Sequence, residues 1–518
     1  MNESPAYQQA PNGEGEERQK EVIALLADPA THGGSAVEHI PTHISHVFIA
    51  GPNTYKLKRA AARSFADYST AEKRKAMCER ELAINLENAP QIYKAVLPIV
   101  RTPDGLRLGG EGEAIDYVVA MRTFKASDMF DALADDGRLT ERHIQDLADA
   151  IARQHKRVPR AQEFGGSKAI QQTIEDLVEV IRTTAQGPNL TRPLEDWKEA
   201  ALAQLKRHTP QIDARRRHGY VRRCHGDLHL ANICLFDDKP VLFDAIEFSE
   251  EIASIDILYD TAFTAMDLLY RGLRQHATLL ISRYLSHTRD YSGLKLLGLF
   301  LSMRSAVRAM VAAAKDGETG MREATNRLEF ALSCLAPQPA PRLLAIGGLS
   351  GTGKSTLAKS LAPDIPGLIG ALSIRSDVCR KRLFGIAPEE PLPKEAYQSD
   401  VSLKVYATML KDARRALIAG TSVIVDATFL GETEATQLEH LANATGAHFT
   451  GIWLTADLEI LKARIAQRTG DASDATPQIA ERQWQTATAN TTWAKLDASG
   501  TPDEVAAKAR QMLARQNG

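Results

Sequence analysis

The sequence predicts two structural units in tandem: an α+β domain of two lobes, then an α/β domain on a parallel sheet. At 518 residues the chain is too long for a single hydrophobic core. Its character also changes along its length. Short β-rich pieces surrounding one helix run to about Phe124, and a mostly helical stretch then runs to about Leu335. After the Pro-rich break "APQPAPR", strand-length apolar runs alternate with helical stretches, the pattern of a parallel sheet covered on both faces.

In order, residues 1–21 are rich in Gly, Pro, Glu and Gln and read as a flexible tail. In the first lobe, 22–124, "HISHVFIAG" and "TYKLKRA" are strands joined by the turn "GPN", and "AIDYVVAMRTF" is a buried strand. Between them "STAEKRKAMCERELAINLENA" carries helical spacing behind a capping Ser69. Residues 125–335 form the helical lobe and 336–342 a linker. In 343–518, "RLLAIGG", "SVIVDATF" and "HFTGIWL" are the strands of the second domain.

With 63 basic and 65 acidic side chains, the formal charge of −2 counts against a broad nucleic-acid surface. Five scattered cysteines without a C-x-x-C pair suit reduced thiols better than a disulfide framework or zinc site. The first twenty residues contain no apolar core of a secretion signal, and no uninterrupted apolar stretch of spanning length is apparent. A cytoplasmic location without membrane partners is the expectation.

Chemistry concentrates first at "CHGDLHLANICLFDDKPVLFDAIEF", 224–248. Asp227 and Asn232 have D-x-x-x-x-N spacing, as in a protein-kinase catalytic loop. An acid orients and deprotonates an accepting hydroxyl, while an amide oxygen nearby holds a metal against phosphates. A short hydrophobic hairpin then delivers Asp244, a second metal-ligand candidate.

Together, "CHGDLHLANI" and "LFDAIEF" resemble the aminoglycoside phosphotransferase family, which has the bilobal kinase-like fold. "THISHVFIAG" and "YKLKR" resemble a bacterial subgroup in which that domain is fused to a P-loop domain. The resemblance implies an ATP-binding lysine, read as Lys56, with Lys58 on the same strand face as the alternative, and Glu81 as its carboxylate partner. No glycine-rich loop is present; Thr42, His43 and Ser45 stand in its place. Asp256 resembles the buried aspartate bracing the loop. The basic run "RRRHGYVRRC" reads either as a solvated turn or as a preference for an anionic acceptor, and the latter counts against polycationic aminoglycosides.

The second site is "GGLSGTGKST", in which Gly348, Gly353, Lys354 and Ser355 satisfy the P-loop pattern between a strand and a helix. Ser350, Gly351, Thr352 and Thr356 complete the cradle, where backbone N–H groups close on phosphate oxygens. Downstream, "SIRSDVCRKRL" places Asp377 at a strand end and Arg380 one turn later. This resembles P-loop kinases of hydroxyl groups, including polynucleotide kinases and zeta-type toxins, and implies Asp377 as base and Arg380 as a grip on an anionic acceptor. Asp426 ends a buried strand as a carboxylate for metal, and Arg464 and Arg468 resemble lid arginines.

The leading expectation is a bifunctional kinase using ATP and Mg²⁺ on a small, hydroxyl-bearing, anionic metabolite. The alternatives are a toxin-like or nucleic-acid 5′-hydroxyl kinase, and a nucleotide-sensing module in which one domain gates the other.

Overall fold

A computed structural model of the chain describes residues 14–42, 44–61, 67–184, 188–315, 317–467, 472–486 and 492–515. It divides into two compact units, Met1–Arg271 with Leu299–Leu335, and Gly272–Gly298 with Ala336–Gly518. The stretch 272–298, expected within the helical lobe, therefore packs with the second unit.

The first unit is built on a six-stranded antiparallel sheet: β1 (Val37–Pro41), β2 (Ser45–Ala50), β3 (Asn53–Lys58), β4 (Tyr93–Thr102), β5 (Gly105–Leu108) and β6 (Glu113–Arg122), in the order β1-β2-β3-β6-β4-β5. Side chains alternate across it. Phe48, Leu57 and Val118 pack under helix α1 (Glu14–Ala27) through Val22 and Leu26. Val119 and Met121 point the other way, into a cluster with Cys78 of helix α2 (Ala71–Leu86).

Residues 14–21, expected in a tail, open α1. Gln19 is buried there; its amide donates to Lys58 O (2.9 Å) and Asp116 Oδ2 (2.8 Å), and its oxygen accepts from Ala60 N (2.7 Å). The helix thus satisfies backbone groups at the end of β3. Thr70, not Ser69, caps α2 by accepting from Lys73 N.

The hairpin after the loop 225–232 pairs β7 (Ile233–Phe236) with β8 (Lys239–Leu242). Its turn residues Asp237 and Asp238 have φ of 49° and 56°, the positive pair that lets two residues reverse a strand without splaying it. Helix α3 (Ile257–Tyr270) runs almost wholly buried beneath this loop.

In the second unit β9 (Arg342–Gly348), β10 (Ala371–Arg375), β11 (Ser422–Asp426), β12 (His448–Thr455) and β13 (Ala494–Asp497) form a fully parallel sheet in the order β10-β11-β9-β12-β13. The first strand lies centrally, so the loop after it opens where the strand order reverses, the usual ligand crevice of such sheets. Helix α4 (Arg274–Thr288) covers the β10 edge. Its Arg274 donates to Pro363 O (2.8 Å) and Leu368 O (3.2 Å), and Thr278 donates to Ile369 O (2.5 Å).

All five cysteines are free and buried. Among the described residues one helical stretch, Tyr291–Ala313, is long and apolar enough to cross a membrane, contrary to expectation from the sequence. Its most apolar window is 72% buried within the protein, the setting of a core helix.

Replacing Gln19 with Ala strands the Ala60 N–H without a partner. It is expected to destabilise the first unit by about 1–3 kcal/mol, read as a shift in its denaturant midpoint.

Candidate active sites

In the first unit the loop 225–232 is held from below. Asp260 on α3 is fully buried and accepts from Gly226 N (2.9 Å), His225 N (3.3 Å) and His155 Nε2 (3.1 Å). Burial pushes its carboxyl up, but His155, His225 and Arg304 outweigh that and hold it below the ordinary range. Asp267, two turns along α3, accepts from Leu230 N (3.2 Å). The brace is therefore Asp260 and not Asp256. Asp256 caps α3, accepting from Leu258 N, and pairs bidentately with Arg215 (2.6 and 2.8 Å). An acid inside the apolar run "ILYDTAFTAMDLLY" was the available signal, since such a residue must find donors.

Asp227 stands on this braced loop with its side chain 38% exposed, open to an acceptor. The Asn232 amide donates to its Oδ2 (2.9 Å) and to its backbone oxygen (2.8 Å). Burial raises the Asp227 carboxyl, yet the His229 imidazole 3.4 Å away, with His225 and Arg304, holds it well below the usual carboxylate range. Asp244 follows the hairpin with φ of 61°, a left-handed conformation costly for a residue with a Cβ. Its N–H donates to the Tyr93 hydroxyl (3.2 Å).

Both lysines of β3 point at Glu81, as residues two apart on a strand should. Lys56 donates to Glu81 Oε1 (2.9 Å) and Asp244 Oδ1 (2.5 Å). Lys58 is wholly buried between Glu81 and Glu247. Only Lys56 therefore links Glu81 to the exposed Asp244. Of the residues replacing a glycine-rich loop, Thr42 and Ser45 close the β1–β2 turn on each other, Thr42 Oγ1 accepting from Ser45 N (3.0 Å). The Ser45 hydroxyl is buried without a partner among the described residues; His43 lies outside them.

The basic run is divided: Arg217 and His218 are exposed at its turn, while three of its arginines are held internally. Arg215 is spent on Asp256, Arg222 donates to His155 O (2.6 Å), and Arg223 to Ile246 O (2.7 Å).

In the second unit the loop after β9 leads into helix α5 (Lys354–Leu361). Gly351 has φ of 90°, and a Cβ there would lie 2.8 Å from Leu461 O; Gly353 has φ of 88°. These glycines permit the curl that turns N–H groups inward. Lys354 Nζ donates to Leu349 O (2.9 Å), and the Ser355 hydroxyl donates to Asp426 at the end of β11. Ser350, Gly351, Thr352, Gly353, Lys354, Ser355 and Thr356 line a cavity of about 560 Å³ shared with Asp377, Arg380 and Asp426. Gly348 lies outside that lining; with φ of 138° and Leu454 O 2.7 Å from a would-be Cβ, it shapes the strand exit.

Asp377 occupies the first turn of helix α6 (Ser376–Leu383). Burial lifts its carboxyl above the ordinary value and Asp426 adds to this, against Arg375 and Lys354. Arg380, also buried, donates to Ala396 O (2.7 Å) and lies 5.1 Å from the Tyr397 ring, while its Nε has no partner among the described residues.

Arg464, expected as a lid arginine, sits on helix α7 (Leu458–Gln467) with its guanidinium bonded to the carbonyls of Ala498 (2.8 Å), Ser499 (3.3 Å) and Gly500 (2.8 Å). These bonds pin a wall of the cavity, which Arg464 itself lines. Arg468 lies outside the described residues. Two cavity residues had no motif to announce them. Gln483 on helix α8 (Pro477–Thr486) accepts from Ser350 N (2.9 Å). Asp474 gathers Lys381 Nζ (3.0 Å), Leu392 N (3.0 Å) and the Tyr397 hydroxyl (2.7 Å).

Residues 53–297 match the Phosphotransferase enzyme family, and residues 343–492 match a AAA domain. The chain thus carries two kinase-type domains and is an ATP-dependent phosphotransferase. The uncharacterized protein Rv2004c of Mycobacterium tuberculosis is 29% identical over 460 residues, covering 85% of this chain and 88% of that protein. The uncharacterized protein Mb2027c of Mycobacterium bovis matches to the same extent. Among solved structures, a choline/ethanolamine kinase family protein from Mesorhizobium loti aligns with TM-score 0.37 and 13% identity, over 62% of this chain and 95% of that one. A gluconokinase from Sinorhizobium meliloti 1021 aligns with TM-score 0.26 and 21% identity, over 35% of this chain and 95% of that one.

Gly351→Ala both strains the loop and drives a methyl into a carbonyl. It is expected to weaken the Lys354-dependent part of MgATP binding by at least about tenfold, measured by calorimetric titration.

Proposed function

We propose that the chain is a bifunctional kinase in which each domain transfers phosphate to a hydroxyl of a small metabolite. The observation carrying this reading is that each site gathers a carboxylate base, an ammonium group for phosphate and further oxygen ligands within one cluster.

In the first site Asp227 would accept the acceptor's hydroxyl proton, oriented by the Asn232 amide, while Lys56 neutralises nucleotide phosphate. In the second, Asp377 is the base, its raised carboxyl better matched to proton abstraction, and Lys354 and the curled backbone hold the phosphates. Asn232 with Asp244, and Ser355 with Asp426, are oxygen sets that suit a small hard cation. Mg²⁺ held there would supply charge neutralisation on the phosphate oxygens. Chemistry of this kind depends on positioning and charge, and braced loops supply both.

Support for an anionic acceptor comes from the second site alone. Arg380 is a buried guanidinium with spare donor capacity beside the base and two tyrosines, Tyr397 and Tyr406. Arg215, Arg222 and Arg223, near the first site, are committed to internal bonds and lend no such support.

The test is mass spectrometry of a metabolite extract incubated with MgATP and wild type, Asp227→Ala or Lys354→Ala protein. A phosphorylated product lost in one variant assigns that acceptor to one domain, and a product lost in both indicates successive action. No new product in any sample would sink the metabolic-kinase reading.

The two products should also differ in pH dependence. Asp377 titrates above the ordinary carboxylate value of about 4 and Asp227 below it, so kcat/KM of the Asp377-dependent reaction should fall at higher pH on acidification. Coincident acid limbs would contradict the assignment of the two bases.

A further inference from the structure

Five charged groups in the first unit form one continuous chain: Asp244, Lys56, Glu81, Lys58, Glu247. Their exposure falls along it, from 38% at Asp244 and 11% at Lys56 to none at Glu81 and Lys58 and 4% at Glu247. One end opens to the site and the other is sealed. The Tyr68 hydroxyl closes the sealed end, 3.5 Å from Glu247 Oε1, with Lys58 Nζ 5.7 Å from the same ring.

Two ammonium groups meet three carboxylates here. Lys56 and Lys58 balance Glu81 and Glu247, leaving Asp244 at the open end as the surplus negative charge. A lysine that turns toward phosphate must loosen its hold on its carboxylate partners. Were Lys56 the sole partner of Glu81, that movement would leave a buried carboxylate uncompensated, which is costly. Lys58 removes the difficulty because it keeps Glu81 paired throughout. Lys58 in turn is fixed by Glu247, three residues beyond Asp244 in "DAIEF".

We propose that Lys58 and Glu247 are positioning residues for nucleotide binding at the first site. Their buried pair holds Glu81, and through it Lys56, while Lys56 exchanges Asp244 for phosphate oxygens. This rests on the reading of the Asp227 site as an ATP site.

The experiment uses the full chain carrying Lys354→Ala, which removes binding at the second site. It is titrated calorimetrically with the Mg²⁺ complex of β,γ-imido-ATP. Lys58→Met/Glu247→Leu replaces the pair with apolar groups of similar volume, a change that buried ion pairs commonly tolerate. Glu247→Gln is the isosteric second variant should the paired one not fold. On a folded protein with an unchanged melting transition, either is expected to weaken binding by about tenfold, the scale of coupling in buried charge networks. Added to Lys56→Met, Glu247→Gln should cause no further loss, because it acts through Lys56 and leaves Lys58 to pair with Glu81.

Unaltered affinity in the folded variants would overturn the proposal, as would a loss that adds in full to that of Lys56→Met. A background protein that binds no nucleotide, or a Lys56→Met variant that binds as well as its parent, is a different failure. That result overturns the ATP-site reading, and the proposal falls with it.

Discussion

Glu81 has no contact with solvent, so its charge must be answered by side chains. The answer comes from β3 in the form of two lysines. One of them is held by Glu247 in the segment after β8, and the other reaches Asp244 in the same segment. Strand, helix and catalytic segment are thereby joined by electrostatics that tolerate little displacement, since an ammonium moved away from a buried carboxylate leaves both unpaired. Asp260 plays the corresponding part beneath the loop, where one carboxylate accepts from the backbone of two successive residues. What places Asp227 and Asp244 is this pair of buried acids, each satisfied from several elements at once.

The two domains gather positive charge and N–H donors by different physics. The first relies on side-chain ammonium groups whose positions depend on residues distant in sequence. The second relies on backbone N–H groups turned inward by left-handed glycines and aligned with a helix N-terminus. Most of the second device is encoded within ten consecutive residues, while the first is assembled from segments up to about two hundred residues apart.

That difference explains how much was legible in the sequence. The P-loop, its flanking strand and helix, and the positions of Asp377 and Asp426 at strand ends could be read because local backbone rules determine them. The D-x-x-x-x-N spacing was readable for the same reason. The preference for Lys56 over Lys58 had little local basis, because both face one way and only the tertiary partners differ. Asp260 was passed over for Asp256 because each lies close after the loop, and only the three-dimensional course of α3 decides which meets it. Arg464 had the spacing of a lid residue, but the three carbonyls its guanidinium meets lie more than thirty residues on and could not be foreseen from that spacing. Gln19 lay in a polar stretch whose composition resembles a tail, and only its long-range partners give it a structural role.

The assignment of 272–298 to the second unit has a consequence for how the protein is made. The chain passes from one unit to the other three times, at 271–272, 298–299 and 335–336. A nascent chain can complete the first unit once Leu335 has emerged, but α4 must then wait for β10, which ends at Arg375. At roughly 5–20 residues per second, that interval is about 2–8 seconds. Throughout it the face of α4 that carries Thr278 and Ser282, which bond to Ile369 O and Ser373 N, has no sheet to cover it. The same interleaving means that the P-loop segment cannot be exchanged between proteins as a simple C-terminal cassette. Any recombination that moved 343–518 alone would leave behind the helix on which the edge of its sheet is built.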